Sequence, residues 1–172
     1  MAKEFVANPN RPIHLYSDND RYFITAAIYE KRRLLADPSL KILVFELIQK
    51  YFEKYEWDIH HWVVLDNHYH VIGRSKIGRD MSLIIQGIHG CSAATVRKAT
   101  GCELPVWWNY WDYCPRNEAD YMTRVNYLLN NPVKHGYVRK LTDYPFSTFH
   151  RITWTVIPGW PNTSKPRRGS FP

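Results

Sequence analysis

Two histidines stand one residue apart in the segment VVLDNHYHVIG, residues 63 to 73. In a strand, alternate side chains point to the same face, so His68 and His70 would share one face. Neutral imidazole nitrogens are common metal ligands, but two of them make only part of a coordination shell. Most surface histidines bind no metal, and a metal site here therefore needs an oxygen ligand from elsewhere in the chain.

A tyrosine and an asparagine offer the complementary chemistry. The segment NEADYMTRVNYLLNN, residues 117 to 131, has helical periodicity. Counting about 100° per residue from Val125, Tyr127 lies about 200° away, on the polar side, with Asn131 four residues further on along the same side. A phenol is a weak nucleophile at neutral pH, but it can attack a phosphate that a divalent cation polarises and holds in line. The simpler interpretation is an exposed tyrosine that packs against a loop.

The remaining tyrosines of this region are weaker candidates for a nucleophile. Tyr121 falls on the apolar face of the predicted helix, and Tyr110 and Tyr113 lie in a segment with strand-like composition. Among these four tyrosines, Tyr127 is the candidate nucleophile.

The first half of the chain predicts a strand, a helix and a hairpin. RYFITAAIY predicts a strand over residues 22 to 29, and SLKILVFELIQKYFEKYEW predicts an amphipathic helix that starts near Ser39. DIHHWVVL and HYHVIGRS flank Asp66 and Asn67, two residues that tolerate tight turns. The sequence thus predicts a hairpin with the two histidines at its tip.

The second half predicts helix, strand and helix. DMSLIIQGIHGCSAATVRKAT repeats apolar residues at helical spacing, ELPVWWNYWDYCP is β-prone, and the third helix has Asn117 as a candidate N-cap and Pro132 as its stop. The complete order is strand, helix, strand, strand, helix, strand, helix. This order predicts an α+β fold of the ferredoxin-like, split βαβ type, with an antiparallel sheet flanked by helices.

Length and composition set the class of protein. The 172 residues suit a single domain, for which we expect residues 1–155, followed by a basic, Pro/Gly-rich tail, 156–172. No apolar run is long enough for a membrane span, and three cysteines without C-x-x-C spacing indicate a reducing cytoplasm. The net charge of +7 and the aromatic content of 15% are typical of proteins that bind single-stranded nucleic acid, although neither is decisive.

Two segments resemble a known family. WVVLDNHYHVI resembles the histidine-hydrophobic-histidine motif of the HUH single-strand endonucleases. VNYLLNNPVKHGYVRKLTDYPFSTFHR closely resembles the signature of the REP-associated tyrosine transposases, which belong to the HUH single-tyrosine transposase superfamily. The resemblance covers roughly residues 20 to 151 and implies a ferredoxin-like fold of the HUH endonuclease type.

The resemblance also implies a reaction. Tyr127 would be the nucleophile, and His68, His70 and Asn131 would bind a divalent metal ion, Mg²⁺ or Mn²⁺. The enzyme would cleave and rejoin DNA through a covalent 5′-phosphotyrosine intermediate. Its partners would be single-stranded DNA hairpins of repetitive palindromic elements, bound by a monomer or homodimer at the nucleoid in the bacterial cytoplasm.

Two other functions remain open from the sequence. One is a non-catalytic, domesticated DNA-hairpin-binding protein, and the other is a metal-dependent phosphodiesterase without a covalent step, which would leave Tyr127 unexplained. In the tail, Lys165, Arg167 and Arg168 suggest a phosphate-binding or regulatory extension. Basic residues near the proposed centre that could contact DNA are Arg116, Arg124, Lys134, His135, Arg139, Lys140 and Arg151.

Overall fold

The structure is a computed structural model that describes residues 16–150. The predicted order of elements is confirmed, so the fold is a mixed α+β fold with an antiparallel sheet. The predicted tail, 156–172, and the predicted DNA contact Arg151 lie outside the described residues. The strands are β1 (Arg21–Ile28), β2 (Asp58–Val64), β3 (His68–Arg74) and β4 (Trp107–Tyr113), and the helices are α1 (Pro38–Lys54), α2 (Met81–Thr100) and α3 (Glu118–Lys134).

The sheet has the strand order β2-β3-β1-β4, and each neighbouring pair is antiparallel. Successive residues of β1 point to opposite faces of the sheet. Tyr22 and Ile24 enter the larger core, which α1 and α2 cover, whereas Phe23 enters a second core under α3. In residues 16–150, no helix is both long and apolar enough to cross a membrane.

Helices α1 and α3 each begin with a side-chain cap, of which the sequence predicts the one at Asn117. Asp37 is the N-cap of α1, and its carboxylate accepts a hydrogen bond from the backbone N–H of Ser39 at 2.8 Å. Pro38 is the first residue of the helix, where proline is favoured. The side chain of Asn117 accepts one from the N–H of Asp120 at 2.9 Å, which confirms the predicted N-cap of α3. These side chains satisfy amide groups that the first turn of a helix leaves unpaired.

The prediction that Pro132 stops the third helix is wrong. α3 continues to Lys134 and holds Pro132 within its last turn, with the ring buried. A proline in a helix removes the hydrogen bond that its own N–H would donate. Here the next turn remains paired, since His135 N–H bonds to the carbonyl of Asn131 at 3.0 Å and Tyr137 N–H bonds to that of Pro132 at 2.9 Å. Asn131 is therefore in regular helical register with Tyr127.

The hairpin turn between β2 and β3 is fixed by a buried carboxylate. Asp66 accepts hydrogen bonds from Lys41 Nζ at 2.8 Å and from Arg33 Nη2 at 2.5 Å. The backbone on both sides is also tied, because Leu35 N–H bonds to the Asp66 carbonyl and Ile28 N–H to the Asn67 carbonyl, both at 2.8 Å. Burial alone would raise the pKa of Asp66, but the hydrogen bonds from Lys41 and Arg33 outweigh it and lower the pKa.

We expect Asp66→Ala to lower the free energy of unfolding by about 3–5 kcal/mol, because it leaves the buried Lys41 ammonium without its counter-charge. Arg33→Ala is the matched control, since Arg33 is largely exposed and its loss leaves the inner pair intact. The control should cost less than about 1 kcal/mol. Urea unfolding of both variants measures the difference, and equal losses would contradict the buried pair as the anchor of the turn.

Candidate active site

The two histidines lie side by side on the face of the sheet that α3 covers. His68 is the first residue of β3, opposite Ala27, and His70 lies opposite Thr25 of β1. Their ring centroids are 4.9 Å apart. His70 is 3% exposed and His68 is half-buried. The expectation that both side chains share one face is confirmed.

Helix α3 brings Asn131 between the two imidazoles. The Oδ1 atom of Asn131 lies 3.2 Å from His68 Nε2, and its Nδ2 atom lies 3.2 Å from His70 Nε2. Asn131 is fully buried, which corrects the expectation that it lies on the exposed polar side of the helix. That side of α3 faces solvent at Tyr127 but meets β3 one turn later, so the polar amide is buried against polar partners.

Tyr127 lies one helical turn before Asn131, at the mouth of this cluster. Its ring makes edge contacts with His70, at a centroid distance of 5.5 Å, and with Phe23, at 5.9 Å. The residue is 42% exposed, so a substrate can reach the phenol from outside. The structure thus brings the predicted nucleophile and the three predicted ligands together.

Hydrogen bonds on the far side of each ring fix which nitrogen carries the proton. The amide nitrogen of Asn67 donates to the Lys31 carbonyl at 3.2 Å, and this turns its Oδ1 toward His68 Nδ1, 2.6 Å away. Since Oδ1 can only accept, Nδ1 of His68 donates and Nε2 is left with a lone pair. His70 is arranged alike, because its Nδ1 lies 2.8 Å from Thr25 Oγ1 while its Nε2 accepts from Asn131.

The result is a pair of acceptors that face each other. With Nδ1 of His68 as donor, its Nε2 lone pair points at the Asn131 oxygen, which also only accepts. Two lone pairs at 3.2 Å repel each other, and a cation that both could bind relieves the conflict. Two imidazole nitrogens and one amide oxygen thus fit a divalent cation with mixed N and O ligands.

Burial keeps both imidazoles in the neutral form that binds metals. It lowers the pKa of His68 and lowers that of His70 further, and neighbouring histidines add to the effect for each ring. Among residues 16–150, no three histidine, cysteine or acidic side chains form a ligand cluster. The donor set of this site therefore depends on the Asn131 amide as its third member.

Other tyrosines near the start of α3 have engaged hydroxyl groups. Tyr121 is buried and its hydroxyl lies 3.1 Å from His60 Nδ1, while the Tyr113 hydroxyl donates to Asp120 at 2.5 Å. Burial raises the pKa of Tyr121, which disfavours its phenolate. The polar-side location predicted for Tyr127 correctly separates it from these residues.

The basic residues predicted to contact DNA divide into two groups. Lys134 Nζ lies 5.2 Å from the centroid of the Tyr127 ring, and the His135 ring lies 5.5 Å from that of His68. Arg139 and Lys140 follow the helix and are exposed. This group surrounds or follows the predicted nucleophile.

The second group lies at the start of α3 and is held by its neighbours. Arg116 Nε is 3.6 Å from a carboxylate oxygen of Asp120, and Arg124 Nε is 3.7 Å from the other oxygen. The Arg124 guanidinium also lies over the Tyr113 ring, 4.2 Å from its centroid. Arg124 thus has a structural role that its sequence position did not indicate.

The sequence did not identify Thr25 or Asn67 as part of the site. The Asp66-Asn67 pair was interpreted only as a turn, and Thr25 only as a strand residue. The role of Asn67 has a signal in the sequence, because a polar residue in a turn directly before His68 can reach the imidazole with its side chain. Thr25 had no such signal, because its partner is 45 residues away in the chain.

Comparisons with known proteins identify the family. The family model described as IS200-like transposase matches residues 19–114. The chain belongs to the IS200-like transposase family. It is 30% identical over 142 residues to the REP-associated tyrosine transposase of Escherichia coli K12, a match that covers 79% of this chain and 80% of that protein. The predicted enzyme class, a tyrosine transposase, is thereby confirmed.

A solved structure extends the likeness to most of the fold. The structure of a REP-associated tyrosine transposase bound to a REP hairpin superposes with a TM-score of 0.68 at 29% identity, covering 92% of this chain and 98% of that one. The family model ends at residue 114, before α3, and so includes the histidine pair but neither Tyr127 nor Asn131. The grouping of these two residues with the histidines rests on the contacts described above.

We expect Thr25→Val to weaken Mn²⁺ binding about 10- to 100-fold, because the valine keeps the shape of the side chain but removes the partner of His70 Nδ1. Thr25→Ser restores the hydroxyl and should bind Mn²⁺ within about threefold of wild type. Isothermal titration calorimetry with Mn²⁺ on the folded variants measures both. Equal affinities for the Val and Ser variants would show that the hydroxyl does not orient the imidazole.

Proposed function

We propose that this protein cleaves and rejoins single-stranded DNA at hairpin-forming repeats, with Tyr127 as the nucleophile. The observation that carries the proposal is the contact of the Tyr127 ring with the His70 ring. The Nε2 atoms of His70 and His68 both face the side-chain amide of Asn131. An exposed phenol next to a buried, oriented set of N and O ligands is the arrangement that phosphoryl transfer to tyrosine requires.

His68 Nε2, His70 Nε2 and Asn131 Oδ1 would hold the divalent cation, Mg²⁺ or Mn²⁺. Bound there, the cation would supply Lewis-acid polarisation of the scissile phosphate. The protein's own contribution is orientation: Asn67 and Thr25 hold the rings so that both Nε2 atoms face the side-chain amide of Asn131.

The reaction would be a transesterification. The Tyr127 oxygen forms a bond to phosphorus, and the bond from phosphorus to the 3′ oxygen of the preceding nucleotide breaks. The phenol loses one proton and the leaving 3′ oxygen gains one, so the step needs no further reactant. Lys134, whose ammonium lies 5.2 Å from the Tyr127 ring centroid, is placed to stabilise negative charge on the phenol or on the phosphate.

Hairpin DNA is the substrate that the comparisons favour. The similar solved structure is of a transposase bound to a REP hairpin, and the present chain carries a net charge of +7. Exposed cations next to the site, Lys134 and Arg139, can bind the backbone of such a strand. The proposal includes a catalytic domain of residues 1–155 with a basic, Pro/Gly-rich tail, 156–172, as a phosphate-binding or regulatory extension. The protein would act as a monomer or homodimer in the bacterial cytoplasm, at the nucleoid.

We expect Tyr127→Phe to abolish the covalent protein–DNA adduct while Mn²⁺ binding stays unchanged, because only the hydroxyl is lost. The assay mixes protein, Mn²⁺ and labelled single-stranded hairpin DNA, and separates adducts on a denaturing gel. Tyr121→Phe, on the same helix, is the matched control and should form the adduct. His68→Ala should lose both Mn²⁺ binding and the adduct, since it removes one of the three donors.

Three outcomes separate the hypotheses. An adduct that persists in Tyr127→Phe would refute the nucleophile. Metal-dependent cleavage with no adduct in wild type would support a phosphodiesterase instead. Tight hairpin binding with no cleavage at any Mn²⁺ concentration would leave the non-catalytic hairpin binder.

The two groups of basic residues should differ in their effect on DNA binding. We expect Lys134→Gln to lower the slope of log affinity against log salt by about 0.7, the contribution of one phosphate contact to a single strand. Arg124→Gln should leave the slope unchanged and lower stability, since Arg124 packs on Tyr113 and Asp120. Fluorescence anisotropy with labelled hairpin DNA at several salt concentrations tests this. A lower slope for Arg124→Gln would place DNA at the start of α3 as well.

A further inference from the structure

The sheet face that carries the site is covered unevenly. In residues 16–150, α3 packs mainly on β2 and β3, the half of the sheet that holds the histidines, and meets β4 at Tyr113. The other half ends at β4, an edge strand. Trp111 lies near the middle of β4 and is 43% exposed.

The strand register places Trp111 in line with the site. Thr25 of β1 pairs with His70 on one side and with Trp111 on the other. Directly paired residues of antiparallel strands point to the same face, so His70, Thr25 and Trp111 form one row across the sheet. Neighbouring strands are about 4.8 Å apart, and the Trp111 Cα therefore lies about 10 Å from that of His70.

The charge around this row suits a polyanion. The row of His70, Thr25 and Trp111 contains no carboxylate, and neither does the next row, His68 and Ala27. Asp112 of β4 pairs with Ile24, a residue of the opposite core, and thus belongs to the other face of the sheet. On the other side of the row, Tyr113 bonds to the Asp120 carboxylate, which is paired with Arg116 and Arg124, and Lys134 lies beside Tyr127.

We propose that Trp111 is a stacking platform for an unpaired base of the DNA strand that Tyr127 attacks. The proposal rests on the proposed function. If a phosphate of the DNA strand lies at Tyr127, a neighbouring base can reach Trp111, because the Cα atoms of His70 and Trp111 are only about 10 Å apart. An exposed indole stacks on any base, and each such contact contributes about 1–3 kcal/mol by alanine substitution. The indole would hold the unpaired flank of the hairpin in line with the nucleophile.

The same strand provides a matched control. Trp108 is 45% exposed, but it packs on the Tyr29 ring at a centroid distance of 5.1 Å, at the far end of β4. It lies outside the row that contains His70. The Trp108→Ala variant thus removes an indole of similar exposure but leaves the proposed stacking site intact.

The test measures binding of two DNA hairpins that share a stem. One carries a single-stranded oligothymidylate flank, and the other carries a flank of the same length made of abasic sites. Binding is followed by fluorescence anisotropy in the Tyr127→Phe background, so that no cleavage occurs. The protein with Trp111 should bind the hairpin with the thymidylate flank more tightly than the one with the abasic flank. Trp111→Ala should lower the affinity for the thymidylate hairpin about 5- to 150-fold and change that for the abasic hairpin little.

Other variants sharpen the assignment. Trp111→Phe keeps an aromatic face and should retain most of the preference, whereas Trp111→Leu keeps apolar bulk and should lose it. Trp108→Ala should retain the preference. Equal losses of affinity for both hairpins in Trp111→Ala would overturn the proposal. So would a loss of the preference in Trp108→Ala but not in Trp111→Ala. A Trp111 surface that binds another protein but no DNA would overturn it as well.

The result is separable from the proposed function. If wild type forms the Tyr127 adduct but binding does not depend on Trp111, only the stacking platform is refuted. If wild type forms no adduct and still shows the Trp111-dependent preference, the proposed chemistry fails while the binding surface stands. If wild type binds neither hairpin, both fail.

Discussion

The side-chain amide of Asn131 holds the site together. It is fully buried, and a buried amide without partners is costly. Its Nδ2 atom donates to His70 Nε2 and its Oδ1 atom faces His68 Nε2, each at 3.2 Å, so α3 packs on the sheet where the two imidazoles stand. This contact also determines where Tyr127 lies, because one helical turn separates Tyr127 from Asn131. The position of Tyr127, the proposed nucleophile, is thus set by a polar contact as well as by the apolar face of the helix.

That contact depends in turn on the hairpin turn. The Asp66 carboxylate, paired with Lys41 in the interior, fixes the chain at the point where β3 begins. The next residue, Asn67, then has its amide locked by the Lys31 carbonyl and can present only an oxygen to His68. A buried ion pair gives little net stability compared with apolar packing, but it specifies one geometry. In this protein the geometry determines which nitrogen of His68 faces the site.

The sequence predicted the elements better than their contacts. Periodicity identifies the polar side of α3, where Tyr127 is indeed exposed, but it cannot show that the same side meets β3 at Asn131. Pro132 was expected to end the helix because proline lacks an N–H, yet near the end of a helix only one such bond is lost. The role of Thr25 could not be predicted at all, since it exists only after β1 and β3 pair. Local rules thus predict what a residue prefers, and tertiary packing decides what it contacts.

The proposed ligands and the proposed nucleophile differ in burial for a physical reason. His70 and Asn131 are almost completely buried, which keeps the imidazole neutral and the donor atoms fixed before any substrate arrives. Tyr127 must meet a phosphate on a polymer and so needs an open side. A sheet covered by one helix over half of its face meets both demands at the border, since the covered half buries the ligands and the uncovered half admits a strand. Helix α3 lies mainly over β2 and β3 and meets β4 at its last residue, Tyr113, and this position leaves Trp111 on the open part of the face.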